Sequence, residues 1–171
     1  MACWTWGSYY GDAKFKGAKL DIAKWKRPSP ETIPHAAKAA GLYMICTMSK
    51  HAAEAKGCSD AMMFDYRGYV AEATGANIFF VKDGEVHTPK PDCILNGITR
   101  QTVIGMLKGM GIVVHERHIL PEELADFEGA FACNASGLQP IASIDETVFL
   151  TGHDGMVRLR AASALAPWEA L

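Results

Sequence analysis

Three polar features of this sequence stand where the neighbouring residues are apolar. Lys38 lies in "PHAAKAAGLY", among four alanines. Glu72 interrupts the apolar run of "YVAEATGANIFFVK", and "NGIT" opens a helix-like segment near Ile98. An amine that is removed from water is favoured in its neutral form, which attacks carbonyl carbons. The residue types therefore indicate carbonyl chemistry, with an acid and a helix end near the amine.

Two short segments offer backbone N–H groups to an anion. Gly97 permits close approach of the backbone, and the N–H groups of Ile98 and Thr99 at a helix start suit a phosphate. The "NAS" turn at 134–136 is a second such segment. An amine, a carboxylate and a phosphate-binding helix start together are typical of a pyridoxal phosphate site. Each feature also has a purely structural explanation: a solvated lysine, an edge-strand glutamate and an ordinary helix N-cap.

The apolar spacing predicts the elements that would position these residues. Helical spacing predicts a helix over 42–56, and Asp83-Gly84 predicts a hairpin between two strands. The other predicted elements are a strand over 61–65, a strand before the "EATGAN" interruption, a helix over 96–111, a strand over 112–119, a short helix over 120–127, and two strands flanking the "NASG" turn. Strands alternate with helices, so the predicted class is mixed α/β.

Composition excludes several classes of protein. The 171 residues are 49% hydrophobic and 21% charged, and the net charge of −2 leaves no basic surface for nucleic acid. No apolar run reaches the length of a membrane span, and the N-terminus lacks an apolar leader. The five cysteines are widely spaced and form no C-x-x-C pair, so we expect neither disulfides nor a metal site. A cytoplasmic protein is expected.

Three stretches of the sequence resemble one known family. "TIPHAAKAAGLY", "YVAEATGANIFFVKDGEVHTP" and "ILNGITRQTVI", in this order, resemble the class IV (fold type IV) pyridoxal-phosphate aminotransferases. Branched-chain amino acid aminotransferases are the nearest members, and the resemblance runs from about Trp4 to about Phe149. It implies the C-terminal domain of the D-amino acid aminotransferase-like fold, with a pseudo-barrel sheet and flanking helices. It also implies a homo-oligomer.

The same resemblance gives roles to individual residues. It implies that Lys38 forms the Schiff base with pyridoxal 5'-phosphate, that Glu72 pairs with the pyridine nitrogen, and that Tyr43 contacts the phenolic oxygen. The other cofactor contacts that it implies are Gly75, Leu95, Ile98, Thr99 and Asn134, and the substrate contacts are Trp6, Tyr9 and Ala135. Asn134 departs from the family pattern, which usually has a threonine at this position.

The resemblance further implies an activity and a domain organisation. Lys38 would move the α-proton while a branched-chain or similar amino acid is transaminated with 2-oxoglutarate. Residues 1–30 would be an interdomain connector with the aromatic pocket segment, residues 31–171 would be the lysine-bearing large domain, and the small N-terminal domain would be absent. That absence is expected to impair the activity of the chain by itself. Two alternatives stay open: an enzyme of the aminodeoxychorismate lyase type, and a truncated, non-catalytic chain that binds cofactor or pairs with intact subunits.

Overall fold

A mixed sheet of nine strands organises residues 16–151, the part of the chain that the computed structural model describes. The strand order is β3-β2-β1-β8-β7-β4-β5-β6, and β9 pairs with β8. The strands are β1 Ala18–Ile22, β2 Asp60–Phe64, β3 Val70–Ala73, β4 Asn77–Lys82, β5 Glu85–Pro89, β6 Val114–Arg117, β7 Gly129–Asn134, β8 Gly137–Ile144 and β9 Thr147–Val148. Together with the helices between them, they confirm the mixed α/β class predicted from the sequence.

Tight turns join several neighbouring strands of the sheet. The predicted hairpin between β4 and β5 is present, and Asp83 and Gly84 both have positive φ, at 51° and 77°. Two consecutive residues with positive φ are typical of the two-residue turn that matches the twist of an antiparallel pair. β7 and β8 form a second antiparallel hairpin, in which Asn134 pairs with Gly137. This hairpin holds the predicted "NASG" turn at the end of the sheet.

The first strand lies in the interior of the sheet and was not predicted. β1 runs parallel to β2 on one side and to β8 on the other. Leu20 is 1% exposed and belongs to the main core. Ala18–Ile22, which lies within the stretch expected to be a connector, is thus a strand of the same sheet as the residues that follow it.

The interior position of β1 leads to a prediction about the stability of the chain. Replacing Leu20 by alanine should lower the free energy of unfolding by about 2–5 kcal/mol, because the cavity would open beneath a strand paired on both sides. The control is Lys19→Ala on the same strand, which removes an exposed side chain and should change stability by less than about 0.5 kcal/mol. Urea unfolding measures both. Equal, small effects would contradict a core position for β1.

α-Helices pack against the sheet, one of them beside a pair of stacked phenylalanine rings. α1 spans Met44–Ala55 and α2 spans Ile98–Gly109. Val103 and Leu107 of α2 are buried in one cluster with Phe79 and Phe131, whose rings stack at a centroid distance of 4.8 Å. This packing fixes α2 against β4 and β7, so the start of the helix has a defined position beside the sheet.

The short helix predicted over 120–127 is a 3-10 helix at Pro121–Asp126. Glu123 accepts a hydrogen bond at 2.7 Å from the backbone N–H of Leu120, which caps its first turn. A second 3-10 helix, Ala40–Leu42, precedes α1. Among residues 16–151, no helix combines the length and the apolar character that crossing a bilayer requires.

Candidate active site

One pocket collects residues from five separate stretches of the chain. Its volume is about 370 Å³, within the roughly 300–1,000 Å³ typical of small-molecule sites. Every predicted site residue that the structure describes lines it: Lys38, Tyr43, Glu72, Gly75, Leu95, Ile98, Thr99, Asn134 and Ala135. Trp6 and Tyr9, the two aromatic substrate contacts predicted from the sequence, lie outside the described residues.

Lys38 reaches the pocket from an irregular segment before the 3-10 helix at Ala40–Leu42. Its Nζ lies 5.6 Å from the centre of the Tyr43 ring, a distance at which the ring face attracts a cation. The side chain is exposed, as are Ala39 and Ala40. The desolvated setting expected from the alanines is therefore wrong for the described part of the chain. The small neighbours leave Lys38 accessible at the edge of the pocket instead.

Glu72 lines a second wall of the pocket, in β3, and is 7% exposed. Its Oε1 lies 3.3 Å from Nε of Arg27, and its Oε2 accepts a hydrogen bond at 3.2 Å from Nδ2 of Asn77. A buried carboxylate needs a cationic or N–H partner to offset its loss of water. The structure supplies both kinds of partner.

Burial controls the protonation of this acid. Loss of water raises the pKa of Glu72 to about 7, against the lowering effects of Arg27, the backbone N–H of Leu95 and the charge of Lys38. The carboxyl group therefore changes charge near neutral pH. A cation placed beside it in the pocket would favour the ionised form, because opposite charges at short range stabilise each other.

Arg27 is a pocket residue that the sequence interpretation missed. It is 3% exposed, and a backbone β-bridge between Arg27 and Asp65 continues the parallel pairing of β1 with β2. Its backbone N–H donates to the carbonyl of Phe64 at 2.7 Å. The signal in the sequence is weak, since an arginine followed by proline in "KWKRPSP" is typical of a connector. Only the position of Glu72 shows why a charged residue is buried here.

The start of α2 forms the third wall of the pocket. Gly97 is its N-cap, and no side chain caps the helix there. The backbone N–H groups of the first helical turn have no acceptor within the helix, so those of Ile98 and Thr99 suit an anion. A Cβ on Gly97 would lie 2.5 Å from Oδ1 of Asn77. Glycine is required here by space, because its φ of −60° is open to any residue.

The turn between β7 and β8 forms the fourth wall. Asn134 donates from Nδ2 to the carbonyl of Gly75 at 3.2 Å, and its Oδ1 accepts the backbone N–H of Ser136 at 2.9 Å. The bond to Gly75 holds the turn against the loop between β3 and β4, and the bond from Ser136 closes the turn itself. Ala135 is exposed beside it. Asn134 thus shapes the pocket wall, and it retains one N–H that no described bond uses.

Together these walls describe what the pocket can do chemically. Its lining includes the accessible amine of Lys38, the buried carboxyl group of Glu72 beside Arg27, and the uncapped start of α2. A ligand that carries a carbonyl group, a basic ring nitrogen and a phosphate would find a matching partner for each group. Asn77 and Gly97 also line the pocket. Neither was among the predicted ligand contacts.

Comparisons with known proteins bear on the whole of this region. Residues 4–144 match the family described as Amino-transferase class IV. A probable branched-chain-amino-acid aminotransferase of Rickettsia conorii is 44% identical over 131 residues, which cover 76% of this chain and 45% of that protein. The chain therefore spans about half the length of the curated relatives that it matches.

Solved structures show the same likeness in three dimensions. The branched-chain aminotransferase of Thermoproteus uzoniensis, crystallised with norvaline, matches with a TM-score of 0.88 and 34% identity over 95% of this chain and 54% of that one. An aminotransferase of Brucella abortus bound to the co-factor PLP matches with a TM-score of 0.81 and 38% identity over 87% of this chain and 54% of its own. These matches confirm the fold predicted from the sequence.

Proposed function

Because the chain belongs to the class IV aminotransferase family, we propose that its pocket binds pyridoxal 5'-phosphate and that the protein transaminates branched-chain amino acids. The observation that carries this proposal is the convergence of Lys38, Glu72 and the uncapped start of α2 on one pocket. The acceptor would be a 2-oxo acid, with 2-oxoglutarate the typical one.

The pocket residues fit this cofactor group by group. The N–H groups of Ile98 and Thr99 would hold the phosphate, since no side chain caps the helix there. Glu72 would pair with the pyridine nitrogen, since it is a buried acid whose ionised form a cation would favour. Leu95 would pack on the ring and Tyr43 would contact the phenolic oxygen. Gly75 and Asn134 would complete the cofactor site.

When bound, pyridoxal phosphate supplies a conjugated ring that accepts electrons from the reacting carbon of the substrate. The chain's own residues would position the cofactor and move the protons. Glu72, held by Arg27 at 3.3 Å, would keep a proton on the ring nitrogen, which strengthens electron withdrawal. Lys38 would hold the aldehyde carbon, and its Nζ, once free, would accept the proton from the substrate Cα and deliver it to the cofactor. The exposed position of Lys38 allows substrate to reach that nitrogen.

Substrate, partner and compartment are parts of the same proposal. Ala135 lies at the exposed rim beside the phosphate end, where a substrate carboxylate would bind, and Trp6 and Tyr9 would form the aromatic side of the substrate pocket.

We propose a homo-oligomer, supported by Met44 and Met48, which are 66% and 49% exposed one turn apart on α1. The described cysteines are all unpaired, which supports the cytoplasm. Residues 31–171, together with β1, would form the lysine-bearing domain.

The proposal is tested by trapping the cofactor on the chain. Borohydride reduction of chain incubated with pyridoxal phosphate should place a pyridoxyl group on the peptide that contains Lys38, as peptide mapping by mass spectrometry would show. A Lys38→Arg chain should remain unlabelled. Label on Lys56, Lys82 or Lys108 in place of Lys38 would contradict the proposal. Release of the 2-oxo acid from leucine would then distinguish transamination from the lyase alternative.

A further inference from the structure

Asn77 links two parts of the pocket that lie on different elements. It is the first residue of β4, and its side chain is buried. Nδ2 donates to Oε2 of Glu72 at 3.2 Å and to the carbonyl of Leu95 at 2.9 Å. A side-chain amide has two N–H donors, so the two bonds use both of them. One neutral side chain thus joins the buried acid to the segment that leads into α2.

The contacts of Asn77 close a ring of hydrogen bonds. The backbone N–H of Leu95 donates to the Glu72 carboxylate, while the carbonyl of Leu95 accepts from Asn77. Glu72, Asn77 and Leu95 therefore hold one another in a closed cycle. Removing the amide would leave the carbonyl of Leu95 and one oxygen of Glu72 without this buried donor, and an unmet buried acceptor is costly.

The remaining atom of the amide controls the position of the helix start. Oδ1 of Asn77 lies so close to Gly97 that a Cβ there would come within 2.5 Å of it. Arg100, which is fully buried, holds the same segment from the other side by donating to Oδ1 of Asn96 at 2.8 Å. The N-cap of α2 is thus packed directly against Asn77, which also donates to Glu72.

We propose that Asn77 is a positioning residue that fixes the distance between Glu72 and the start of α2, and so matches the pocket to a ligand that carries a ring nitrogen at one end and a phosphate at the other. This inference rests on the proposed function. Aspartate has the same shape as asparagine but would place a second carboxylate against Glu72, and like charges in a buried site oppose each other's ionisation. The amide is therefore needed for its donors and its neutrality together.

The test uses Asn77→Leu, which keeps the branching of the side chain and removes its polar atoms, and Asn77→Asp, which keeps its shape. The matched control is Gln101→Met, which removes an amide that donates to the carbonyl of Asn96 at 3.0 Å but does not line the pocket. Affinities for pyridoxal phosphate and for inorganic phosphate are measured by calorimetry. Amide hydrogen exchange at Leu95 is measured on the cofactor-free chain.

Both Asn77 variants should bind pyridoxal phosphate about tenfold or more weakly, the loss expected when a buried donor is removed. Asn77→Leu should bind inorganic phosphate as the unaltered chain does, because phosphate alone contacts only one end of the pocket. The hydrogen-exchange rate of the Leu95 amide should rise about tenfold in both Asn77 variants. It should stay unchanged in Gln101→Met. Equal losses of affinity for the two ligands in Asn77→Leu would show a general structural role and overturn the inference.

The outcomes separate this inference from the proposed function. If the unaltered chain binds no pyridoxal phosphate, the proposed function fails, and exchange at Leu95 alone decides whether Asn77 holds the segment. If the unaltered chain binds the cofactor and the Asn77 variants bind it equally well, the proposed function stands and the inference fails. If Asn77→Leu does not fold, Asn77→Asp remains available for both measurements, because it preserves the volume of the side chain.

Discussion

Replacing Lys38 by alanine is expected to slow transamination by about 10³-fold or more, because the same nitrogen would hold the cofactor and carry the proton. The side chain is exposed, so its removal should leave the fold and its stability nearly unchanged. The measurement is the single-turnover release of 2-oxo acid from leucine by chain loaded with pyridoxal phosphate. Lys108→Ala, on the exposed surface of α2, is the control and should react at the unaltered rate.

A second measurement separates a catalytic role of Lys38 from a structural one. A small primary amine added to the Lys38→Ala chain should restore part of the rate, because it can occupy the space of the missing side chain and transfer the proton. Amines of increasing basicity should rescue increasingly well until their bulk excludes them. Full activity of Lys38→Ala without added amine would assign the proton transfer to another residue of the pocket.

Replacing Glu72 by glutamine is expected to retain cofactor but slow the same turnover by about 10²–10³-fold, the range found when a preorganised electrostatic partner is lost. A neutral amide does not hold a positive ring nitrogen, and it leaves Arg27, 3.3 Å from the former carboxylate, facing that nitrogen with its own charge. The control is Glu54→Gln, an exposed position on α1. Turnover within a few-fold of the unaltered chain would return Glu72 to a structural role.

The pH dependence of stability provides a cofactor-free check on Glu72. Its pKa in the folded chain is about 7, above the ordinary value of 4.5, so the folded chain binds this proton more tightly than the unfolded chain. The free energy of unfolding should therefore fall as the pH rises from about 4.5 to about 7. Glu72→Gln should lack this component. His87, whose pKa is lowered by burial, acts in the opposite direction in both chains, so their difference isolates Glu72.

Local patterns predicted much of this site because several of its parts are local. A hairpin at Asp83-Gly84 needs only two residues that tolerate positive φ, and both have it. The start of α2 followed from glycine before an apolar helical face, and it begins at Ile98. Glu72 was recognised as an acid that interrupts an apolar run. In each case the physical cause lies within a few residues of the feature that it produces.

Residues whose role depends on distant partners were missed or misjudged. Arg27 appears as part of a charged connector until Glu72 is placed beside it. Asn77 opens β4 like any polar residue at a strand end, and its two acceptors are five and eighteen residues away. The alanines around Lys38 predicted burial, but small side chains are also compatible with an exposed irregular segment. Sequence spacing carries no information on such long-range contacts.

The interior position of β1 has a consequence for synthesis of the chain. Leu20 leaves the ribosome well over a hundred residues before its partner Ile144 in β8. Such non-local pairing slows folding, since loop closure must precede the contacts that reward it. Until β8 is made, one edge of β1 and one edge of β7 lack their partner strand. Nascent chains that stop before β8 should therefore be dependent on chaperones and prone to aggregate.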